Sequence, residues 1–137
     1  MSVGFEICTD KSKIDIDAVC RYLQQESYWA NSRSRGDILK SIEHSKCYAM
    51  SRSGILVGFA RVVTDYVTIA YLADVFVIKD FQGQGYGRHL LDSICSDAEL
   101  EGLRMILLTK DAHGFYEKHG FTQDDWLKGL IMQRKAL

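Results

Sequence analysis

Val75-Phe76-Val77-Ile78-Lys79-Asp80-Phe81-Gln82-Gly83-Gln84-Gly85-Tyr86-Gly87-Arg88 is the stretch whose reading decides the fold. It leaves an apolar, β-branched strand, crosses three glycines and enters a helix directly. Glycine lets the backbone take unusual dihedrals and approach a ligand closely. The first amides of a helix lack intrahelical partners, and the helix dipole favours an anion there. Strand, glycine turn and helix N-terminus together make a cradle for phosphate. Gly83, Gly85 and Gly87 are its candidate residues, and Arg88, just inside the helix, supplies a positive charge. A turn that merely joins strand to helix is the competing reading. Two better-known motifs are excluded by spacing. No Gly-x-x-x-x-Gly-Lys-Ser/Thr string occurs, and Gly-x-Gly-x-Gly stands where a dinucleotide fold would show Gly-x-Gly-x-x-Gly.

Upstream of this turn, Cys47–Arg52, Ile55–Thr64 and Thr68–Ile78 are rich in β-branched and aromatic residues, with Ser53-Gly54 and Asp65-Tyr66 as turns. They predict an antiparallel meander. Val3–Thr9 reads as an opening strand. Ile16, Val19, Cys20 and Leu23 recur at helical spacing between Asp15 and Glu26, with Asp15 or Asp17 as cap. Ser27–Arg35 breaks that period as a loop, and a short helix follows over Gly36–His44. Downstream, a helix is expected from Gly85 to Glu101, striped by Leu90, Leu91, Ile94, Cys95 and Ala98 and closed by Gly102. Arg104–Thr109 is a further strand, Ala112–His119 a short helix, and Phe121 and Leu130–Gln133 fall in closing strands. The order predicts a mixed α/β (α+β) domain over residues 1–137. Its sheet is mostly antiparallel, with six to seven strands and about four helices on both faces.

Bulk properties exclude several classes. A formal net charge of −1 over 137 residues gives no global field for nucleic acid or an anionic membrane. No apolar run reaches membrane-spanning length, and no basic segment precedes an apolar one at the N-terminus, so the expected location is the cytoplasm. Cys8, Cys20, Cys47 and Cys95 are far apart, which predicts buried or partly buried free thiols and no metal site.

A second segment makes the reading specific: Thr109-Lys110-Asp111-Ala112-His113-Gly114-Phe115-Tyr116-Glu117-Lys118-His119-Gly120-Phe121. Gln82-x-x-Gly85-x-Gly87 resembles the coenzyme A pyrophosphate motif of the GNAT superfamily of N-acetyltransferases. Ala112-x-x-Phe115-Tyr116-Glu117-Lys118-x-Gly120-Phe121 is similar to that family's second motif, and one helix and one strand separate the two, as in the family. Three positions depart from the pattern. Gln82 stands where Arg is frequent, Thr109 where Asn is common near the pantetheine arm, and Lys79 where Pro is frequent.

The resemblance implies transfer of an acetyl group from acetyl-CoA to a primary amine by direct attack, without a metal. It implies that Gln82, Gly83, Gln84, Gly85, Tyr86, Gly87 and Arg88 hold the coenzyme, with Thr109, Ala112 and Phe115 beside it. Val75, Phe76 and Val77 would line a wedge for the pantetheine arm, the amide of Val77 or Phe76 taking the oxyanion. Tyr116 would return a proton to the departing thiolate; its alternative is a tyrosine packing a helix on the sheet. Asp74, a carboxyl in an otherwise apolar strand, is expected to titrate high and accept the amine proton, or else to pair with Arg61 or Lys79. Asp65 reads as a turn former. Trp29 and Arg33, in the loop that borders the acceptor pocket in the family, and Tyr71 are candidate substrate contacts. Arg33 would meet an acidic group or only water. His113 and His119 do not have metal-pair spacing and read as helix-surface residues, with His113 a remote candidate for a substrate or phosphate contact. Asp65, Asp74 and the tyrosines hint at a small cationic acceptor, and a homodimer through the aromatic C-terminal stretch is an option the family leaves open. Competing functions are a module that holds acyl-CoA without turnover, and a nucleotide site that prefers ATP or NAD.

Overall fold

The computed structural model describes residues 4–135. Val3, where the opening strand was expected to begin, lies outside the described residues. In chain order the elements are β1 (Glu6–Cys8), α1 (Ile16–Gln25), α2 (Arg35–Glu43), β2 (Lys46–Arg52), β3 (Ile55–Thr64) and β4 (Ile69–Val77). They continue with α3 (Tyr86–Cys95), β5 (Arg104–Leu107), α4 (His113–Glu117) and α5 (Asp125–Lys128), plus three single 3-10 turns. The sheet runs β1-β2-β3-β4-β5, antiparallel except that β5 lies parallel to β4 after the α3 crossover.

Local chemistry explains the boundaries. Asp15 caps α1 by accepting from the Ala18 N–H at 3.1 Å, and Ser34 caps α2 by accepting from Asp37 N–H at 3.0 Å; such caps contribute about 1 kcal/mol each. Ser53 and Gly54, both at positive φ (51° and 78°), make the two-residue hairpin turn between β2 and β3. Asp65 accepts from the amides of Val67 and Thr68 and from the Thr68 hydroxyl, so it builds the β3–β4 turn as expected.

Strand alternation gives the sheet two cores. Cys47, Ala49, Leu56, Phe59 and Phe76 face α1 and α2 and pack on Val19, Cys20, Leu23, Ile38 and Ile42. Tyr48, Met50, Val57, Val62, Ala70 and Leu72 face the other way, onto Tyr86, Leu90, Leu91 and Ile94. In β4 the parity changes partway. Ala70 and Leu72 belong to the α3 core, but beyond Asp74 it is Val75 and Val77 that pack there while Phe76 turns to α1. One extra residue in β4, between the pairs Arg61↔Ala73 and Phe59↔Phe76, produces the switch.

Several expectations are corrected. The sheet has five strands among the described residues: Phe121 lies in no strand, and beyond the one-turn helix α5 Leu130 closes a turn and residues 131–133 form no strand. The long helix ends at Cys95 instead of Glu101. Ser96 Oγ bonds back to the Asp92 carbonyl (2.7 Å), and Asp97 turns extended to cap the 3-10 turn Ala98–Leu100. Gly102, at φ 78°, follows that turn and does not cap α3. Cys95 and Ala98 are exposed rather than on the apolar stripe. All four cysteines are free thiols.

Candidate active site

The glycine turn has the geometry of an anion cradle. Gly83 and Gly85 sit at φ 78° and 86°, with nothing within 4 Å of where a Cβ would stand, so conformation and not crowding requires glycine there. Gly85 is the N-cap of α3, and its carbonyl receives the first helical bond, from His89 N–H at 3.2 Å. The amides of Tyr86, Gly87 and Arg88 therefore have no helical acceptor. Arg88 is exposed. Gln82 donates its side-chain N–H to the Val77 carbonyl (2.9 Å), tying the turn to the end of β4. Gln84 reaches the Asp80 carbonyl at 3.4 Å. Two candidates change role. The Tyr86 ring is buried against Phe5 and Phe81, and its hydroxyl accepts from Arg52 (2.9 Å), so only its amide faces the cradle. Gly87 also packs on Phe115: an added Cβ would stand 3.4 Å from its Cζ, an ordinary contact that does not by itself require glycine.

Beside the cradle the sheet opens. β5 pairs with β4 only from Ile69↔Arg104 to Leu72↔Leu107, so residues 73–77 of β4 border a wedge with no strand on that side among the described residues. Backbone groups alternate along a strand, and the bond from Ile78 N–H to the Val57 carbonyl (2.8 Å) fixes the phase. The Phe76 carbonyl lies against Gly58 of β3, consistent with that phase. The amides of Val75 and Val77 therefore point into the wedge, whereas that of Phe76 points to β3. Phe76 is corrected from wedge donor to core residue: its ring stacks on Tyr22 at 4.0 Å with planes 9° apart.

Asp74 occupies the bulge where the wedge begins. Its φ of 52° is left-handed, a conformation Asp tolerates better than most residues. The carboxylate is buried and fully engaged. Trp29 Nε1–H donates to Oδ1 at 2.8 Å, and Arg33 Nη1 and Arg61 Nε each donate to Oδ2 at 2.8 Å. Arg61 also donates to Ser45 Oγ (3.0 Å), which donates onward to the Ser41 carbonyl (2.6 Å). Burial alone pushes the carboxyl up. The charge and hydrogen bond of Arg61, then Arg33 and Trp29, outweigh it and hold the group below its ordinary value. This corrects the expected direction. A carboxylate spent on three donors is a poor proton acceptor at neutral pH.

The same bonds fix the segment between α1 and α2. Ser27 Oγ donates to the Leu23 carbonyl and accepts from Ala30 N–H, and Gln24 donates to the Arg33 carbonyl. Tyr28 and Trp29 lie edge to face at 5.1 Å, and the Lys110 ammonium stands 5.4 Å over the Tyr28 ring. Tyr116, on α4, is half-buried against Phe115 and Phe121. Burial, with Tyr28 and Asp111 nearby, pushes its hydroxyl up to about 12, so it stays protonated across the physiological range. Thr109 Oγ1 accepts from Ala112 N–H at 3.1 Å, holding the entry to α4. Tyr71 is half-buried on β4 and pairs with Val63 and Ile106. Tyr28 and Lys110 were not singled out in the sequence; the Tyr28-Trp29 pair in a polar loop was the signal available.

His119, half-buried rather than on the surface, touches the Phe115 carbonyl and Asp92, each at 3.2 Å, and His113 is also half-buried. Among the described residues no group of His, Cys, Asp and Glu could hold a metal, and no helix is long and apolar enough to cross a membrane. A cavity of about 1040 Å³ runs along β5, lined by residues 103–109, Tyr116, Trp126, Leu127, Leu130 and Ile131 among others. None of the glycine-turn residues lines it, so it is the open sheet edge where closing strands were expected, and not the cradle.

Residues 16–121 match the family model described as the acetyltransferase (GNAT) family. An N-acetyltransferase of Gracilaria tenuistipitata var. liui, itself uncharacterised, is 36% identical over 87 residues. That match covers 61% of this chain, and the chain spans about half (48%) of that relative's length. A crystal structure of a protein from Xanthomonas campestris pv. campestris assigned to the same family superposes with a TM-score of 0.90 at 38% identity, covering 96% of this chain and 93% of that one. The N-acetylglutamate synthase of Neisseria gonorrhoeae, solved with coenzyme A and N-acetylglutamate, shares the fold at 22% identity (TM-score 0.65, 87% of this chain and 28% of that one).

Proposed function

The chain belongs to the GNAT family of acetyltransferases, and from that membership we propose that it transfers the acetyl group of acetyl-CoA to the primary amine of a small molecule. The observation that carries this reading is the junction of cradle and wedge: unpaired amides at the α3 N-terminus beside the free edge of β4. The cradle amides and Arg88 suit the pyrophosphate, and the edge of β4 at 73–77 suits the amide-bearing pantetheine arm. The coenzyme A seen in the Neisseria gonorrhoeae synthase is in keeping with that use of the fold.

Catalysis then needs three services from this chain. The neutral amine attacks the thioester carbonyl, and the oxyanion that forms takes a hydrogen bond from the Val77 amide, with Val75 the other wedge-facing donor. The C–S bond breaks as the amide forms, and Tyr116 gives its proton to the leaving sulfur. A hydroxyl held protonated suits an acid and not a base. Asp74 does not take the amine proton in this scheme, which passes to water. Trp29, Arg33 and Tyr71 border the acceptor.

Calorimetric titration tests the coenzyme half of the reading. Acetyl-CoA should bind in the micromolar range usual for enzyme substrates, and ATP and NAD should not. Equal binding of ATP or NAD would favour a nucleotide site and overturn it. Gly85→Ala should weaken acetyl-CoA binding about tenfold, since an L-residue at that φ costs ~1–2 kcal/mol and shifts the cradle amides. Unchanged affinity in this variant would place the pyrophosphate elsewhere.

A further inference from the structure

Two arginines share one carboxylate on the α1–α2 face of the wedge. Arg33 and Arg61 both bond Asp74, so the cluster carries one positive charge in excess. The two are not equally spent. Arg61 is 12% exposed, with Nε on Asp74 and Nη1 on Ser45. Arg33 is 27% exposed and uses only Nη1 on Asp74, leaving the rest of its planar fork without a protein partner among the described residues.

Position adds to charge. Asp74 lies where β4 parts from β5, and the cluster hangs on the α1–α2 side, across the sheet from the α3 core. Trp29, on the same carboxylate, leads through Tyr28 toward Tyr116, and Lys110 over the Tyr28 ring adds a further cation. Asp74 is already consumed by its three donors, whereas Asp111, near Tyr116, is exposed. Asp65 is committed to its own turn. Of these three carboxylates only the exposed Asp111 is left to meet a cationic acceptor, alongside the cations of Arg33 and Lys110.

Resting on the acyl-transfer reading above, we propose that the acceptor amine also bears an anionic group, a carboxylate or a phosphate, and that Arg33 binds it. Asp74 holds the guanidinium from its inner edge while the outer edge offers the paired N–H donors that suit either anion. The amine end of the same molecule is then directed along Trp29 and Tyr28 toward Tyr116.

Matched amines test this. L-phenylalanine against phenethylamine and L-lysine against cadaverine probe a carboxylate; phosphoethanolamine against ethanolamine probes a phosphate. With acetyl-CoA saturating, the anionic member of at least one series should be acetylated with kcat/KM about tenfold or more above its partner. Arg33→Gln should collapse that preference through a raised KM for the anionic member, and Arg33→Lys should restore part of it. Preference for the anion-free members, or an Arg33→Gln effect equal on both, would overturn the proposal. Acetyl-CoA titrations on the same samples keep the two readings apart. Lost coenzyme binding by the wild-type chain sinks acyl transfer itself, whereas intact binding with preferred acetylation of cadaverine sinks only the anionic acceptor.

Discussion

Tyr116→Phe is expected to lower kcat by about 10²–10³-fold while leaving the acetyl-CoA dissociation constant within about twofold. The ring packs on Phe115 and Phe121, and phenylalanine preserves that packing, so folding and the shape of the α4 face are kept. Only the hydroxyl is lost. Among the described residues no side-chain hydrogen bond to that hydroxyl is made, so its removal orphans none of their buried polar groups. Equal loss of turnover and coenzyme binding would contradict the acid role, and unchanged turnover would remove it. The pH profile should agree. With the hydroxyl pushed up to about 12, its ionisation does not bring the rate down near neutrality. Asp74, held ionised and fully bonded, supplies no acid-limb base. The rate should instead climb with pH toward the acceptor's own amine pKa.

Asp74→Asn is expected to cost substantial stability. It strips the charge from a carboxylate that pairs with two arginines, and breaking a buried pair by removing one partner costs ~3–5 kcal/mol. For a chain of this size that corresponds to a Tm lower by roughly 10 °C at neutral pH. Asparagine still tolerates the left-handed bulge, so Asp74→Ala, which adds backbone strain and orphans the Trp29 N–H, should melt lower still. The sign with pH follows from the depressed native value. The stabilisation is full above the unfolded carboxyl's pKa and is lost as pH falls through the folded one, so wild type and Asp74→Asn should converge in acid. Scanning calorimetry at neutral and acid pH measures both. A Tm unchanged at neutral pH would mean the three donors contribute little.

The pattern of what the sequence disclosed has physical causes. The meander was legible because runs such as Ile55–Thr64 alternate toward two cores and end in turns written locally, Ser53-Gly54 and Asp65. The cradle was legible for the same reason: a helix N-terminus and its glycines are neighbours in the chain. The closing strands were not, because Leu130–Gln133 is too short for its apolar character to specify a partner, and the β5 edge is where that would be decided. Asp74 shows the limit most clearly. Its isolation in an apolar strand marked it out, but its direction of titration depends on Trp29, Arg33 and Arg61, between 13 and 45 residues away. Likewise the choice between Val77 and Phe76 as amide donor turned on the phase set by one bulge.

The most direct measurement is a mass balance: the protein, acetyl-CoA and the matched amines together, with free coenzyme A thiol and N-acetylated amine both counted. Acyl transfer predicts thiol and N-acetyl product appearing one for one, only when an amine is present. Tight acetyl-CoA binding with no N-acetyl product from any amine, or thiol release that ignores the amine, would contradict it and leave a chain that holds or hydrolyses the thioester.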